Sequence, residues 1–529
     1  MARTPRPSAE PKPRRRASPR STGGAAAGPA ADAAAAKPGF TVRHYCQGIG
    51  DCHLLSFPRE DGGRYFILID CGVHSGVSGG ADKIREVVAD IATVTKRIDL
   101  LVVTHEHWDH VSGFMSAADA FAAIHVEDVW FAWTEDSNDA LARDFDTYRG
   151  QALAALQMAS SRLAGLSGAD ASLGTLGREL GQVLGFHFGA AGDKVRKARN
   201  AARDMAKGKV VYQQPGAGPL ALPGVSGVKV YVLGPPRDPK ALGLEERDSE
   251  LYGQGLAGGF GMAMAQALMG YAAGSSAEDD GSPFDPEIGH SLAEILPLAS
   301  GPATPKPGDL AVARAAPLVQ LLHAHYSGPA DASAVARGKK ATAPTVSDQG
   351  WRRIDGDWLG LAADLAMQLD RGVNNTSLVL AFEFGDRRVA LFVGDAQVGN
   401  WLSWQGLTWG AGESAVTGPD LLKRTVYLKV GHHGSHNATL KAKGLELMNH
   451  PDLSAFIPVN QLDAKNIGWN QMPFAGILDA LRVHAGARVV RADDDWLADC
   501  VVPPALAGGG GSLRAVRCRA KLWVEFDVA

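Results

Sequence analysis

Thr104-His105-Glu106-His107-Trp108-Asp109-His110 follows directly on the largely apolar run Ile98-Asp99-Leu100-Leu101-Val102-Val103. An apolar β-type run that stops at a polar cluster places that cluster at a strand's carboxyl end, where open α/β folds carry their sites. His105, His107, Asp109 and His110 stand within six residues of one another. Three imidazoles and a carboxylate packed so closely repel or titrate awkwardly without a cation. With one, they supply the nitrogen and oxygen donors that Zn²⁺ and its borderline neighbours accept. The plain alternative is a polar surface loop with scattered histidines.

Working outward, the 529-residue chain is 45% apolar and 21% charged, enough to bury a large core. Its length suits three units, or one fold carrying large insertions. No stretch approaches the roughly 18 uninterrupted apolar residues of a membrane span. Residues 1–38 hold eight Lys/Arg against Glu10 and Asp32 in a Pro/Ala/Ser/Gly background. Such composition predicts a disordered basic tail, and its alanine run lacks the h-region of a secretory signal. The tail could tether the protein electrostatically or act as a solubilising extension. Residues 39–529 carry 45 Lys/Arg against 55 Asp/Glu, a balance of −10. An acidic body argues against broad, non-specific nucleic-acid binding. Cys46, Cys52, Cys71, Cys500 and Cys518 form no CxxC or paired framework, which favours a reducing cytoplasm.

Alternating and buried-strand patterns recur at 40–45, 52–57, 65–69, 98–103 and 126–133, with helical patterns at 81–94 and 111–123. Residues 137–208 read as a helical insertion. Residues 240–350 are Ala/Gly/Pro-rich and read as a second insertion, a lid or partly disordered segment. Strand signals return at 228–233, 377–384, 388–393, 427–430, 455–459, 488–491 and 521–528, with a helical pattern at 358–369. Hairpin-rich β segments, helices and further β segments suit an α+β fold of two sheets sandwiched between helices, spanning 39–529.

Two later strands end in further candidate ligands. Val389-Ala390-Leu391-Phe392-Val393 empties into Gly394-Asp395, presenting one carboxylate at the sheet's edge; a turn aspartate is the alternative. Leu428-Lys429-Val430-Gly431 hands off to His432-His433-Gly434-Ser435-His436, any of which could be an ordinary loop histidine. Asp70, in Ile69-Asp70-Cys71-Gly72, reads either as a turn aspartate or as a residue orienting a ligand histidine.

The His-x-His-x-Asp-His pattern resembles the metal-binding signature of the metallo-β-lactamase superfamily. That resemblance implies an αββα sandwich and one or two divalent ions, Zn²⁺ or Mn²⁺. It implies His105, His107, Asp109, His110, Asp395 and His433 as ligands, with Asp395 bridging and His432 the alternate to His433. Asp109 would orient a water. His432 or His436 would protonate the leaving group, and Ser435 would contact substrate. Asn375, in Asn374-Asn375-Thr376-Ser377, stands where the superfamily commonly has a further histidine. An amide oxygen is the harder, weaker donor, so an ion at His105/His107 would be held less tightly and Mn²⁺ or Mg²⁺ relatively favoured. His125, His187, His290, His323 and His325 read as surface or structural.

The hairpin at 45–55, the Asn-Asn-Thr-Ser strand, Gly394-Asp395 and the His-His-Gly-Ser run together resemble the soluble metallo-hydrolase domain of ComEC-type DNA-uptake channels. The implied activity is phosphodiester hydrolysis of DNA or RNA. The competing readings are hydrolysis of a lactone, thioester or β-lactam, and a non-catalytic, metal-stabilised module binding a protein partner through its insertions.

Overall fold

A computed structural model describes residues 39–166, 194–243 and 372–529. The expectations for the tail, for nearly all of 240–350, for the helix at 358–369, and for His187, His290, His323 and His325 lie outside the described residues.

Strand patterning decides the layers. In β3 (Arg64–Cys71), Ile67 and Ile69 face one core while Leu68 faces another. In β10 (Arg388–Phe392), Ala390 and Phe392 share the core of Ile67 and Ile69, whereas Val389 and Leu391 join that of Leu68. A period of two with both faces apolar means that each strand is covered on both sides. The first core fills the space between two sheets, where Phe57, Phe382, Phe384, Phe392 and Phe526 meet. The second lies under the helices.

The first sheet also contains β1 (Phe40–Tyr45), β2 (Cys52–Pro58), β4 (Arg97–Val102), β5 (His125–Ala132) and β6 (Val210–Gln213). The second sheet begins with β7 (Leu220–Ala221), β8 (Lys229–Gly234) and β9 (Val379–Phe384), which lead to β10. A short hairpin, β11 (Thr408–Trp409) and β12 (Val416–Thr417), stands apart. The second sheet is completed by β13 (Thr425–Lys429), β14 (Ser454–Ile457) and β15 (Val489–Arg491). The chain then returns to the first sheet with β16 (Leu513–Arg519) and β17 (Trp523–Val528). The orders are β16-β17-β1-β2-β3-β4-β5-β6 and β15-β14-β13-β10-β9-β8-β7. β17 pairs antiparallel with β1, Phe40 opposite Val528 and Tyr45 opposite Trp523, so the two ends of the described fold share one sheet.

Helix α1 (Gly80–Val94) buries Ile84, Val87, Val88 and Ile91, and α2 (Trp108–Ser116) buries Val111 and Phe114, in the core shared with Leu54, Leu68 and Leu101. The helices Val398–Ser403 and Ala475–Ala485 lie in the corresponding layer of the second sheet. The architecture is the αββα sandwich, and Pro38–Ala529 forms one compact unit. Strands β3–β4–β5 run parallel, as do β10–β13–β14–β15. Their carboxyl ends carry every candidate ligand.

The structure corrects the sequence reading in three places. The expected 111–123 helix begins earlier, at Trp108, and breaks at Ala117 before the short helix α3 (Ala118–Phe121), so Asp109 and His110 occupy a helical first turn. Strands β6 and β16 lacked a clear alternating signal and were not anticipated; both lie at a sheet edge, where pairing on one side replaces hydrophobic patterning. Cys500 and Cys518 are joined in a disulfide with Cα atoms 5.6 Å apart, so the expectation of unpaired cysteines fails, and with it the argument for a reducing compartment. Among the described residues no helix is long and apolar enough to cross a membrane.

Within 137–208, the described parts form α4 (Ala140–Leu166) and α5 (Lys194–Asp204). Helix α5 buries Val195, Ala198 and Ala202 in the core that contains Val111 and Phe114 of α2.

Candidate metal centre

Several residues of the site are delivered by a backbone held in an uncommon conformation. Asp70, the penultimate residue of β3, has φ 55°, and His432 and His433 after β13 have φ 43° and 53°. Positive φ is uncommon in non-glycine residues and persists only where the surroundings over-determine it. At Asp70 the compensation is visible: its carboxylate accepts from the Thr104 amide (2.8 Å), the Thr104 hydroxyl (2.6 Å) and His110 Nδ1 (2.8 Å). Gly394 also has positive φ (53°), and a Cβ there would meet Ser377 and Thr104 at 3.0 Å. Glycine is what lets Asp395 reach this depth.

Asp109, His110, Asp395 and His433 come together, all buried, with one ligand atom from each within 4.8 Å of the others. His110 Nε2 lies 3.1 Å and His433 Nε2 3.7 Å from Asp395 Oδ2, and His433 Nε2 lies 3.0 Å from Asp109 Oδ2. Both imidazoles are anchored through the other nitrogen: His110 Nδ1 donates to Asp70, and His433 Nδ1 donates to the Pro458 carbonyl at 2.8 Å. A ligand histidine is held in this way, one nitrogen fixed by a carboxylate or carbonyl and the other turned inward. His110 Nε2 makes no hydrogen bond despite its burial.

Burial opposes ionisation of Asp395, but His110 and His433 outweigh it and hold the carboxyl well below the usual range. Asp109 behaves alike, with burial overcome by His110 and His433. Burial disfavours imidazolium at His110 and His433, yet the surrounding carboxylates, Asp395 first, raise both. The pocket is therefore arranged for positive charge among carboxylates, and these donors fit a divalent cation.

His105 and His107 form an adjoining pair, Nε2 to Nδ1 at 3.0 Å, with Thr104 Oγ1 3.1 Å from His105 Nδ1. If His105 donates through Nδ1, its Nε2 lone pair faces His107, an arrangement that a shared cation or proton relieves. Burial, then His110 and His107, push the His105 pKa well below its ordinary value.

The remaining candidates lie differently. Asn375 is turned to the scaffold: its Oδ1 accepts from the amides of Gln397 (3.2 Å) and Asn400 (3.1 Å), and its Nδ2 donates to the Leu242 carbonyl (3.1 Å). His432 gives its backbone amide to Asp395 Oδ1 (2.9 Å), while its ring is half-buried with Nδ1 beside Ser435 Oγ (2.7 Å) and Gln397 Nε2 (3.2 Å). Ser435 is thus a neighbour of His432. His436 stands outside the quartet with its ring edge toward Phe474. His125 is exposed and meets Glu127.

Sequence reasoning missed two charged groups. Lys429 is fully buried, donates to the Gly394 carbonyl (3.0 Å), contacts Asp51 and lies 3.6 Å from Asp395 Oδ1. Burial works against its charge, but Asp51 and then Asp395 raise its pKa. A lysine closing the apolar strand Thr425–Lys429 was the available signal; Asp51 entered the sequence reading only as part of the hairpin at 45–55. Behind them His44 bonds His53 (Nδ1–Nδ1 2.8 Å) and Tyr427, and His53 lies 3.4 Å from Asp51, all within the inter-sheet core.

With this geometry in place, comparison with known families is direct. Residues 49–136 match the family model described as the metallo-beta-lactamase superfamily. The matched segment carries Asp51, Asp70 and the whole His105–His110 cluster; Asp395 and His433 lie beyond it and join the cluster through the fold. No curated protein matches the chain.

Proposed function

We propose that the chain is a metal-dependent hydrolase that cleaves phosphodiesters, with DNA or RNA as substrate. The observation that carries the hydrolase reading is the convergence of the inward Nε2 atoms of His110 and His433 on Asp395 Oδ2, beside Asp109. Asp109, His110, Asp395 and His433 would hold one divalent ion, and His105 with His107 would contribute to a second. A bound ion of this class lowers the pKa of water from 15.7 to about 7 and polarises a phosphoryl oxygen. Asp109 orients the attacking water, since its carboxylate is set by His433. His432, half-exposed and steered by Ser435, is positioned to give a proton to the leaving oxygen. The phosphodiester assignment draws on the resemblance of the 45–55 hairpin, the Asn-Asn-Thr-Ser segment before β9 and the His-His-Gly-Ser run to the competence-type module.

The test is a screen of Mn²⁺, Zn²⁺ and Mg²⁺ against oligonucleotides, bis(p-nitrophenyl) phosphate, lactones and thioesters, with Asp395→Ala beside the wild type. Metal-dependent cleavage of phosphodiesters that disappears in Asp395→Ala is expected. Turnover of lactones or thioesters alone would replace the substrate assignment, and silence throughout by metal-loaded protein would overturn the hydrolase reading.

A further inference from the structure

The body of this chain is acidic, yet residues 194–209 carry Lys194, Arg196, Lys197, Arg199, Arg203, Lys207 and Lys209 against Asp204 alone. This segment is well placed. Helix α5 buries Val195, Ala198 and Ala202, and that face fixes which side chains turn outward. Lys194, Arg196, Lys197, Lys207 and Lys209 are exposed, and Arg203 is half-exposed. Arg199 turns inward instead. It reaches Glu106 Oε2 at 3.2 Å and also pairs with Glu135, while Arg149 of α4 bonds the same Glu106 oxygen at 2.7 Å. Glu106 stands between His105 and His107, so the cationic helix is bolted to the metal loop itself. Over its whole length α5 spans about 16 Å, at 1.5 Å per residue. It leads to the turn in which the amides of Lys207 and Gly208 bond back to the start of β5.

We propose that the outward face of α5 and the turn that follows it form the track on which single-stranded nucleic acid lays its phosphates as it enters the centre. This deepens the phosphodiesterase reading and rests on it. A small lactone or thioester has use for one cation at most, whereas six basic side chains along a helix and the turn after it match a repeating anion. Arg196 bonds Asp146 at 3.0 Å with both side chains exposed, a pair that solvent and a phosphate can exchange at little cost. The local reversal of charge also answers the objection from overall composition. Phosphate binding depends on where Lys and Arg cluster, because charges separated by more than about 8 Å are largely screened at physiological salt.

The experiment compares full-length wild type with Lys194→Gln/Lys197→Gln/Lys207→Gln. A control, Lys229→Gln/Lys423→Gln/Lys521→Gln, removes the same charge from exposed positions elsewhere. Binding of 5′-fluorescein-labelled dT30 is followed by anisotropy from 50 to 200 mM salt, with chelator present to prevent cleavage. Thermal midpoints confirm that each variant is folded. Each phosphate contact to a single strand contributes about 0.7 to the slope of log K against log salt. The track variant should therefore bind roughly tenfold more weakly at 100 mM and lose about 2 units of slope. The control should match wild type. Equal slopes in all three proteins, equal losses in both variants, or no binding by wild type would overturn the track. Hydrolysis of bis(p-nitrophenyl) phosphate by wild type is scored separately. Its absence defeats the phosphodiesterase reading, while the binding comparison alone decides the track.

Discussion

Asp70 spends roughly 1–2 kcal/mol on a left-handed backbone to aim one carboxylate at Thr104 and His110. Asn tolerates the same backbone but cannot accept from His110 Nδ1 through its amide nitrogen. Asp70→Asn is therefore expected to stay folded while its metal affinity falls 10–100-fold, read by titration calorimetry. Unchanged affinity would mean that His110 needs no such anchor. Lys429 poses the complementary case, a buried cation facing Asp51 and Asp395. Lys429→Met leaves those carboxylates uncompensated and should cost about 3–5 kcal/mol in urea unfolding. Lys429→Met/Asp51→Asn removes the orphaned charge together with its partner and should recover part of that loss. A double variant no more stable than the single one would show that Lys429 acts through packing alone.

At the scale of elements, α4 and α5 act on the centre through one carboxylate. Burial raises the Glu106 pKa, with Arg149 and Arg199 opposing; at Glu135 burial works the same way, but Arg199 and then Arg149 outweigh it and lower the value. Two guanidinium groups thus serve two buried carboxylates. A double-mutant cycle with Glu106→Gln and Arg199→Met should give a coupling of about 0.5–3 kcal/mol in chemical denaturation. A coupling near zero would make α5 a passenger on α2. The sequence made much of this architecture legible, because strands covered on both faces must read as apolar runs and three of them, β4, β10 and β13, end at candidate ligands. It announced His105–His110, Asp395 and His433 for that reason. It could not announce Lys429 with Asp51, or Arg199 with Glu106, because these pairs are separated by 378 and 93 residues and only the fold closes them. Nor could it show Asn375 turned to the scaffold: an amide beside a metal motif looks the same in sequence whether it faces the ion or three backbone groups.

Across the whole molecule, buried polar groups run from the centre into the space between the sheets, through Asp51 and His53 to His44 and Tyr427. An inter-sheet core is an expensive place for imidazolium. Burial first, and then the neighbouring His53, push His44 well below its ordinary pKa; burial lowers His53 as well, with Asp51 pulling the other way. Both rings therefore take up a proton less readily in the folded protein than in the unfolded chain, which does so near pH 6.5. The unfolded state then binds more protons, so the stability that these rings confer is fully present above about pH 6.5 and is lost as the pH falls toward their folded values. His44→Gln keeps a hydrogen-bonding side chain beside His53 and Tyr427 but removes one of the two titrations. Stabilities from urea curves between pH 7.5 and 5.5 should fall less steeply in the variant than in wild type. The candidate metal centre is common to both proteins and drops out of the difference. Parallel profiles would show that the proton lost on folding is not the one carried by His44.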